Sequence, residues 1–146
     1  MKLELFFNFD GNCREAAAFY AKVFQTEVGN LMTYAEAPPE PDYTVPEEDK
    51  DKIMYAGIPI GDMVVMCMDM PSGWPLAAGN NINPTLNVED KDEVLRIFNE
   101  LKEGGKVYAE PMQTFYSELY CMVEDKFGVI WHVMYYVADD MLLSNK

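Results

Sequence analysis

The amino-acid sequence predicts an α+β protein made of two βαβββ modules in tandem. Three observations carry this. Two amphipathic helical segments repeat one arrangement of caps and apolar positions, the strands before them repeat at nearly the same spacing, and each half closes in a hairpin. A length of 146 residues suits one domain of ordinary size, or one made of two small halves. It also suffices for a hydrophobic core without disulfide staples.

The elements follow in order. Leu3, Leu5, Phe7 and Phe9 alternate with Glu4, Phe6 and Asn8, the period of a strand, which Asp10-Gly11 ends. Residues 12–24 read as a helix: Ala16, Phe19, Tyr20 and Val23 fall on one face, Asn12 stands as N-cap and Glu15 at the capping-box position. Residues 35–51 carry Pro38, Pro39, Pro41 and Pro46 among Glu36, Glu40, Asp42, Glu47 and Glu48. They read as an irregular acidic insertion, with a short helical turn starting at Pro46. Residues 53–60 and 63–69 form a hairpin through Gly61-Asp62. The linker that follows is broken by Pro71, Gly73, Pro75 and Gly79. Its Trp74 and Leu76 read as packing over a sheet edge, with the rim of a pocket as the alternative.

In the second half Leu86 and Val88 precede a helix over residues 90–102. Val94, Ile97, Phe98 and Leu101 form its stripe, Asp90 its cap, Glu93 its box residue and Gly104-Gly105 its stop. Val107 follows in a strand. Residues 119–123 and 129–136 make the closing hairpin around Asp125-Lys126-Phe127-Gly128, and residues 139–146 read as a short helical or frayed tail. The cap, box and stripe positions of the two helices are all separated by 90 − 12 = 78 residues. Asn87 and Val88 lie 87 − 8 = 79 residues beyond Asn8 and Phe9. The domain reading is therefore residues 1–70 as first module, with the insertion at 35–51, then 71–80 as linker, 81–137 as second module and 138–146 as tail.

Eleven Lys and Arg against 25 Asp and Glu give a net charge of −14. Such a chain repels nucleic-acid phosphates and anionic lipid headgroups, so neither class of partner is expected. With 49% hydrophobic residues the acidity does not signal disorder. No stretch reaches the roughly 18 apolar residues of a membrane span. Cys13, Cys67 and Cys121 match no metal-binding spacing and read as reduced thiols, with Cys67 and Cys121, in strand segments, read as buried and inert. Together with the lack of a signal peptide, this gives a cytoplasmic expectation.

Several segments together resemble a known family: Phe9-Asp10-Gly11-Asn12-Cys13-Arg14-Glu15-Ala16 with Phe19-Tyr20; Val45-Pro46-Glu47-Glu48-Asp49-Lys50-Asp51-Lys52-Ile53-Met54; Phe98-Asn99-Glu100-Leu101 with Gly104-Gly105-Lys106-Val107; Thr114-Phe115; and Asp125-Lys126-Phe127-Gly128-Val129-Ile130-Trp131. They are similar to the vicinal oxygen chelate superfamily, which contains glyoxalase I and the bleomycin-resistance proteins, and specifically to its PhnB-like branch. The resemblance covers nearly the whole chain. It implies the glyoxalase/bleomycin-resistance fold, with mixed sheets curved around a cup, and a homodimer. Members are often labelled 3-demethylubiquinone methyltransferases. No Gly-rich strand–turn–helix loop opens a βαβ unit here, so the label is taken as a name only.

Metal-dependent members of the superfamily place His or Glu ligands on four cup-facing strands. The resemblance puts those positions at Glu4, Asn83, His132 and near Val65 to Cys67, where no carboxylate or imidazole stands. Many PhnB-like chains also carry a His in the motif that here reads Ile53-Met54-Tyr55-Ala56. A catalytic metal wants His, Glu, Asp or Cys at each corner. No cofactor is therefore expected, with a divalent metal on Glu4 and His132 as the alternative.

His132 is the only histidine and the natural general base near neutral pH. Glu4 is the second catalytic candidate, a carboxyl whose pKa rises in a cup unless it is paired. Phe6, Asn8, Tyr55, Asn83, Gln113, Tyr116 and Tyr120 are the ligand-binding candidates, backed by Met54, Met63, Met66 and Met68, which suit flat or greasy molecules. For any one of these the plainer alternative is core filling or a satisfied core histidine. The functional expectation is a PhnB-like protein that binds a small, largely apolar or aromatic molecule in the cup, with no assigned reaction. The alternatives are a metal-dependent lyase or dioxygenase of the glyoxalase type, and a structural or interaction protein whose cup is filled.

Overall fold

A computed structural model describes residues 1–139 and Leu143. The chain divides into two compact units, Met1–Ala77 and Ala78–Lys146, so the division falls within the predicted linker.

The first unit contains β1 (Phe6–Phe9), α1 (Cys13–Val23), β2 (Leu31–Thr33), β3 (Ile53–Ile60) and β4 (Met63–Asp69). Its sheet runs β1-β4-β3-β2, with β1 parallel to β4 and the other pairs antiparallel. The helix buries Ala16, Ala17, Tyr20, Ala21 and Val23, and the sheet supplies Ile53, Ala56, Ile58, Val65 and Cys67 to the same core. Three small alanines let the helix lie close to the strands. Tyr20 fills the end of the layer, its ring 5.9 Å from Phe7 and 6.4 Å from Phe9.

Three details differ from the sequence reading. The first strand begins at Phe6, not Leu3: its ladder to β4 opens where Leu5 C=O accepts from Met66 N–H, leaving Leu3 87% exposed. Asn12 makes no side-chain cap, because its backbone (φ −116°, ψ 18°) is not extended as a capping residue requires. Cys13 N–H donates to Asp69 Oδ1 instead, at 2.9 Å, while Asp69 Oδ2 accepts from Ile53 N–H at 2.9 Å. Trp74 and Leu76 do not cover a sheet edge: they are 69% and 42% exposed, held out by a turn in which Trp74 N–H donates to Pro71 C=O. The insertion is also less irregular than its prolines suggest. Pro46 opens a 3₁₀ turn, Glu47–Asp49, whose last carboxylate is buried. Asp49 accepts from Ser72 N–H (2.9 Å) and Ser72 Oγ–H (2.6 Å) and pairs with Lys52 (2.8 Å).

The second unit repeats this plan with β5 (Thr85–Val88), α2 (Lys91–Leu101), β6 (Lys106–Met112), β7 (Tyr120–Glu124) and β8 (Ile130–Tyr135), in the order β5-β8-β7-β6. Here the predicted cap forms: Asp90 accepts from Asp92 N–H (2.7 Å) and Glu93 N–H (3.3 Å). Val94, Ile97, Phe98 and Leu101 are all buried as their spacing requires. Gly105 is forced by packing, since a Cβ there would stand 2.0 Å from the carbonyl oxygen of Glu124. Of the predicted tail, Ala138 is irregular, Asp139 and Leu143 are helical, and the remainder lies outside the described residues. Among the described residues no helix is long and apolar enough to cross a membrane.

Strand pairing makes the duplication residue-specific. Phe6 pairs with Met66 in the first unit as Thr85 pairs with His132 in the second. By the same ladders Met66 corresponds to His132, Tyr55 to Tyr120 and Glu4 to Asn83.

Candidate functional site

Period-2 alternation separates two faces on β7 and β8. Cys121, Val123, Trp131 and Val133 are buried, and α2 packs on these two strands. Tyr120, Met122, His132 and Met134 take the opposite face and are half-buried. Met122 pairs directly with His132 and Tyr120 with Met134, so Tyr120 and His132 are diagonal neighbours.

That placement produces a connected array. Tyr120 Oη and His132 Nδ1 are 2.8 Å apart, and His132 Nε2 lies 3.4 Å from Asn83 Oδ1. Asn83 Nδ2–H donates to Asn80 C=O, which orients its carbonyl toward the ring. These partners assign the tautomer: the Tyr120 hydroxyl donates to Nδ1, and Nε2 carries the proton directed at Asn83. Burial lowers the His132 pKa, so the ring is neutral at pH 7. Burial, then the neighbouring Tyr116, raises that of the Tyr120 phenol. Tyr116 stands edge-on to Tyr120 at 6.0 Å, and Phe115 to Tyr116 at 5.0 Å. Gln113, Thr114 and Tyr116 line a cleft of about 280 Å³.

Chemically, the array offers an N–H donor on a neutral ring, a phenol kept protonated, and aromatic and thioether surface. It contains no carboxylate. Because Tyr120 occupies the Nδ1 lone pair, His132 presents a donor, and an acceptor atom of a ligand can replace Asn83 at Nε2.

The other predicted site residues lie in the first unit. Glu4 is exposed, lies outside β1 and is ion-paired with Lys2 at 2.7 Å. Phe6 and Asn8 are also exposed, on β1. Tyr55 is half-buried on β3, and its hydroxyl lies against Gly57. Of the predicted set, the structure thus connects Asn83, Tyr120, His132 and Tyr116, while Glu4 is engaged with a lysine.

Tyr120 takes one ring nitrogen of His132, the other faces an amide, and among the described residues no three His, Cys, Asp or Glu side chains gather into a cluster able to hold an ion. The three cysteines are free and buried. A hydrogen bond with Cys67, and then burial, push the Cys13 thiol far up, and burial pushes Cys121 to about 12, so neither is a nucleophile.

Two features escape a linear reading. One is the support of the β7–β8 hairpin: buried Asp125 accepts from Phe127 N–H, Val129 N–H and Trp131 Nε1–H. Its signal was present, an Asp opening the turn and an indole six positions on. The other is a groove of about 1010 Å³ in the first unit, walled by Tyr34, Tyr43, Trp74, Pro38 and Met54. Its traces in the sequence were the aromatic residues flanking the proline run and Trp74, for which the rim of a pocket was the alternative reading.

A four-stranded mixed sheet crossed by one helix, occurring twice in tandem, is the glyoxalase/bleomycin-resistance fold of the vicinal oxygen chelate superfamily. Within it the chain belongs to the PhnB-like family described as 3-demethylubiquinone-9 3-methyltransferase, which matches residues 1–134. It is similar to Protein YjdN of Escherichia coli (strain K12), at 27% identity over 140 residues, 91% of this chain and 94% of that one. The crystal structure of protein PA1353 from Pseudomonas aeruginosa is 31% identical, with a TM-score of 0.78 over 92% of this chain and 98% of that one. A PhnB protein from Bacillus cereus, described as a 3-demethylubiquinone-9 3-methyltransferase, shares the fold at 19% identity and a TM-score of 0.74, over 92% and 99% of the two chains.

Proposed function

We propose that this PhnB-like protein binds a small, largely apolar or aromatic molecule on the open face of its second sheet, and that the molecule presents a hydrogen-bond acceptor to His132. The observation that carries this is the Tyr120–His132–Asn83 array beside Met122 and Met134. It combines a directed N–H with adaptable apolar surface, the composition of a small-molecule site. The same reading takes the protein to work without a resident metal, because a neutral imidazole, an amide and a phenol form a poor ligand set for one. No reaction is assigned. We also propose a cytoplasmic homodimer, the dimer supported by exposed Phe115 and Tyr136, which line one cleft of the second unit.

A thermal-shift screen of metabolites and aromatic drugs tests the binding. A compound present at a hundredfold its Kd stabilises the folded chain by about 2.7 kcal/mol. The expected hit shifts the midpoint of the wild type and loses most of that shift in His132→Ala and Tyr120→Phe. If no compound stabilises the protein, or if both variants respond like the wild type, the reading fails. Metal analysis of the purified protein is expected to find no stoichiometric Ni, Zn, Mn or Fe.

A further inference from the structure

The groove of the first unit shares no residue with the His132 array, and its walls differ in chemistry. Trp74 is 69% exposed and Tyr43 45% exposed, although both line the groove with the buried ring of Tyr34. The Tyr34 hydroxyl is committed to the carbonyl of Asp69 at 2.9 Å, so the ring contributes only its surface. Two large aromatic rings left in solvent beside a cavity present unused π faces, and such faces attract cations.

The charge around them has the matching sign. Residues 35–51 hold seven Asp and Glu against a single Lys, a net of −6. Glu40 is part of the lining, and its carboxylate forms no ion pair among the described residues. The one lysine in the wall, Lys50, is spent on Glu47 at 2.5 Å, and nearby Lys52 is spent on Asp49. The two walls are also tied together, since Asp49 on the insertion holds Ser72 two residues before Trp74. The groove is therefore formed before any ligand arrives.

We propose that this groove is a binding site for an organic cation of the quaternary-ammonium type, held by Trp74 and Tyr43 and favoured by Glu40. The proposal goes beyond the reading of the His132 face and is independent of it.

Tetramethylammonium chloride is the probe, titrated into the full chain while the ring-current shift and saturation transfer of its methyl protons are followed by NMR. Sodium chloride at equal ionic strength and tert-butyl alcohol, a neutral molecule of similar shape, serve as controls. The expected result is saturable binding that weakens with salt, falls about tenfold or more in Trp74→Ala and is partly kept in Trp74→Phe. Glu40→Gln is expected to weaken it without abolishing it. Should Trp74→Ala fail to fold by circular dichroism, Tyr43→Ala replaces it, with the same expected loss. Absence of saturation overturns the proposal, as does equal binding of tert-butyl alcohol or unchanged affinity in the folded variants. Sedimentation completes the test: if Trp74→Ala converts a dimer to a monomer, a second copy of the chain fills the groove and the cation site is refuted.

Discussion

The hairpin that carries both Tyr120 and His132 depends on one carboxylate, which makes Asp125 a sensitive point for stability. Asp125 is 2% exposed, and it accepts from Trp131 Nε1–H at 2.9 Å, Phe127 N–H at 2.9 Å and Val129 N–H at 3.1 Å. Asp125→Ala strands all three donors. The indole N–H belongs to a residue 1% exposed, so water cannot replace its partner, and its loss costs about 1–3 kcal/mol. Phe127 and Val129 are half-buried, and water can reach their N–H groups, so each costs about 0.5–1.5 kcal/mol. The total is about 2–6 kcal/mol, a large fraction of the stability of a small domain. Asp125→Asn keeps an acceptor for the two backbone donors but sets an amide N–H against the indole N–H. Only the Trp131 contribution of about 1–3 kcal/mol is lost. Adding Trp131→Phe to Asp125→Asn removes the opposed donor, so the double variant is expected to be less destabilised than the two single variants summed. Urea unfolding in a Trp74→Phe background is the assay for the Asp125 variants, because Trp131 is then the only indole and its fluorescence reports this unit, while far-UV circular dichroism follows unfolding of the two variants that carry Trp131→Phe. Equal destabilisation by Asp125→Asn and Asp125→Ala, or an effect under about 0.5 kcal/mol for Asp125→Ala, would refute the reasoning.

Other outcomes are open to similar checks. NMR titration of the single imidazole is expected to place the His132 pKa below the ordinary value of about 6.5, and Tyr120→Phe is expected to raise it, because the lost hydroxyl bond favours the neutral ring. The unfolded chain then binds the proton more readily, so wild-type stability rises with pH through the window below about 6.5, a slope that His132→Gln should remove. Asp90→Ala is expected to destabilise by about 1 kcal/mol in urea, whereas Asn12→Ala, at a cap with no side-chain bond, should stay within about 0.5 kcal/mol. Lys52 and then Ser72 hold the Asp49 carboxyl at about 2. Its contribution is present above the ordinary pKa of about 3.9 and is lost as the pH falls toward 2, so limited acid proteolysis should cut the insertion first.

The fold was legible because it is written in short-range patterns. The alternation in β4 and β8, the stripe in each helix and the glycines at the turns are all read within a few residues, and the duplication repeats them. What failed depended on distant partners. Asn12 resembles a cap in the sequence, but Asp69, 57 residues away, supplies the acceptor for the helix terminus. Asp49 reads as one more charge in an acidic run, yet it is buried on Lys52 and on Ser72, across the hairpin. The site was legible in part. His132, Tyr120 and Asn83 were all identified, but their mutual hydrogen bonds follow from strand register, which no local pattern gives.

The correspondence between the modules explains why the chemistry is concentrated where it is. Tyr55 and Tyr120 occupy one ladder position, Met66 and His132 a second, Glu4 and Asn83 a third. The scaffold is duplicated and the aromatic position is kept. At the second position the first unit has a thioether where the other has an imidazole, so it has no hydrogen-bonding partner for its tyrosine there. At the third position the carboxylate is engaged by Lys2, whereas Asn83 turns its carbonyl to the imidazole. A directed donor can therefore form in the second unit alone, and Met66→His in the first unit is the substitution that would show whether register by itself suffices to build one. With Tyr55 at the position of Tyr120, the new imidazole should acquire a depressed pKa of its own. An ordinary value would mean that Asn83, absent from the first unit, is required as well.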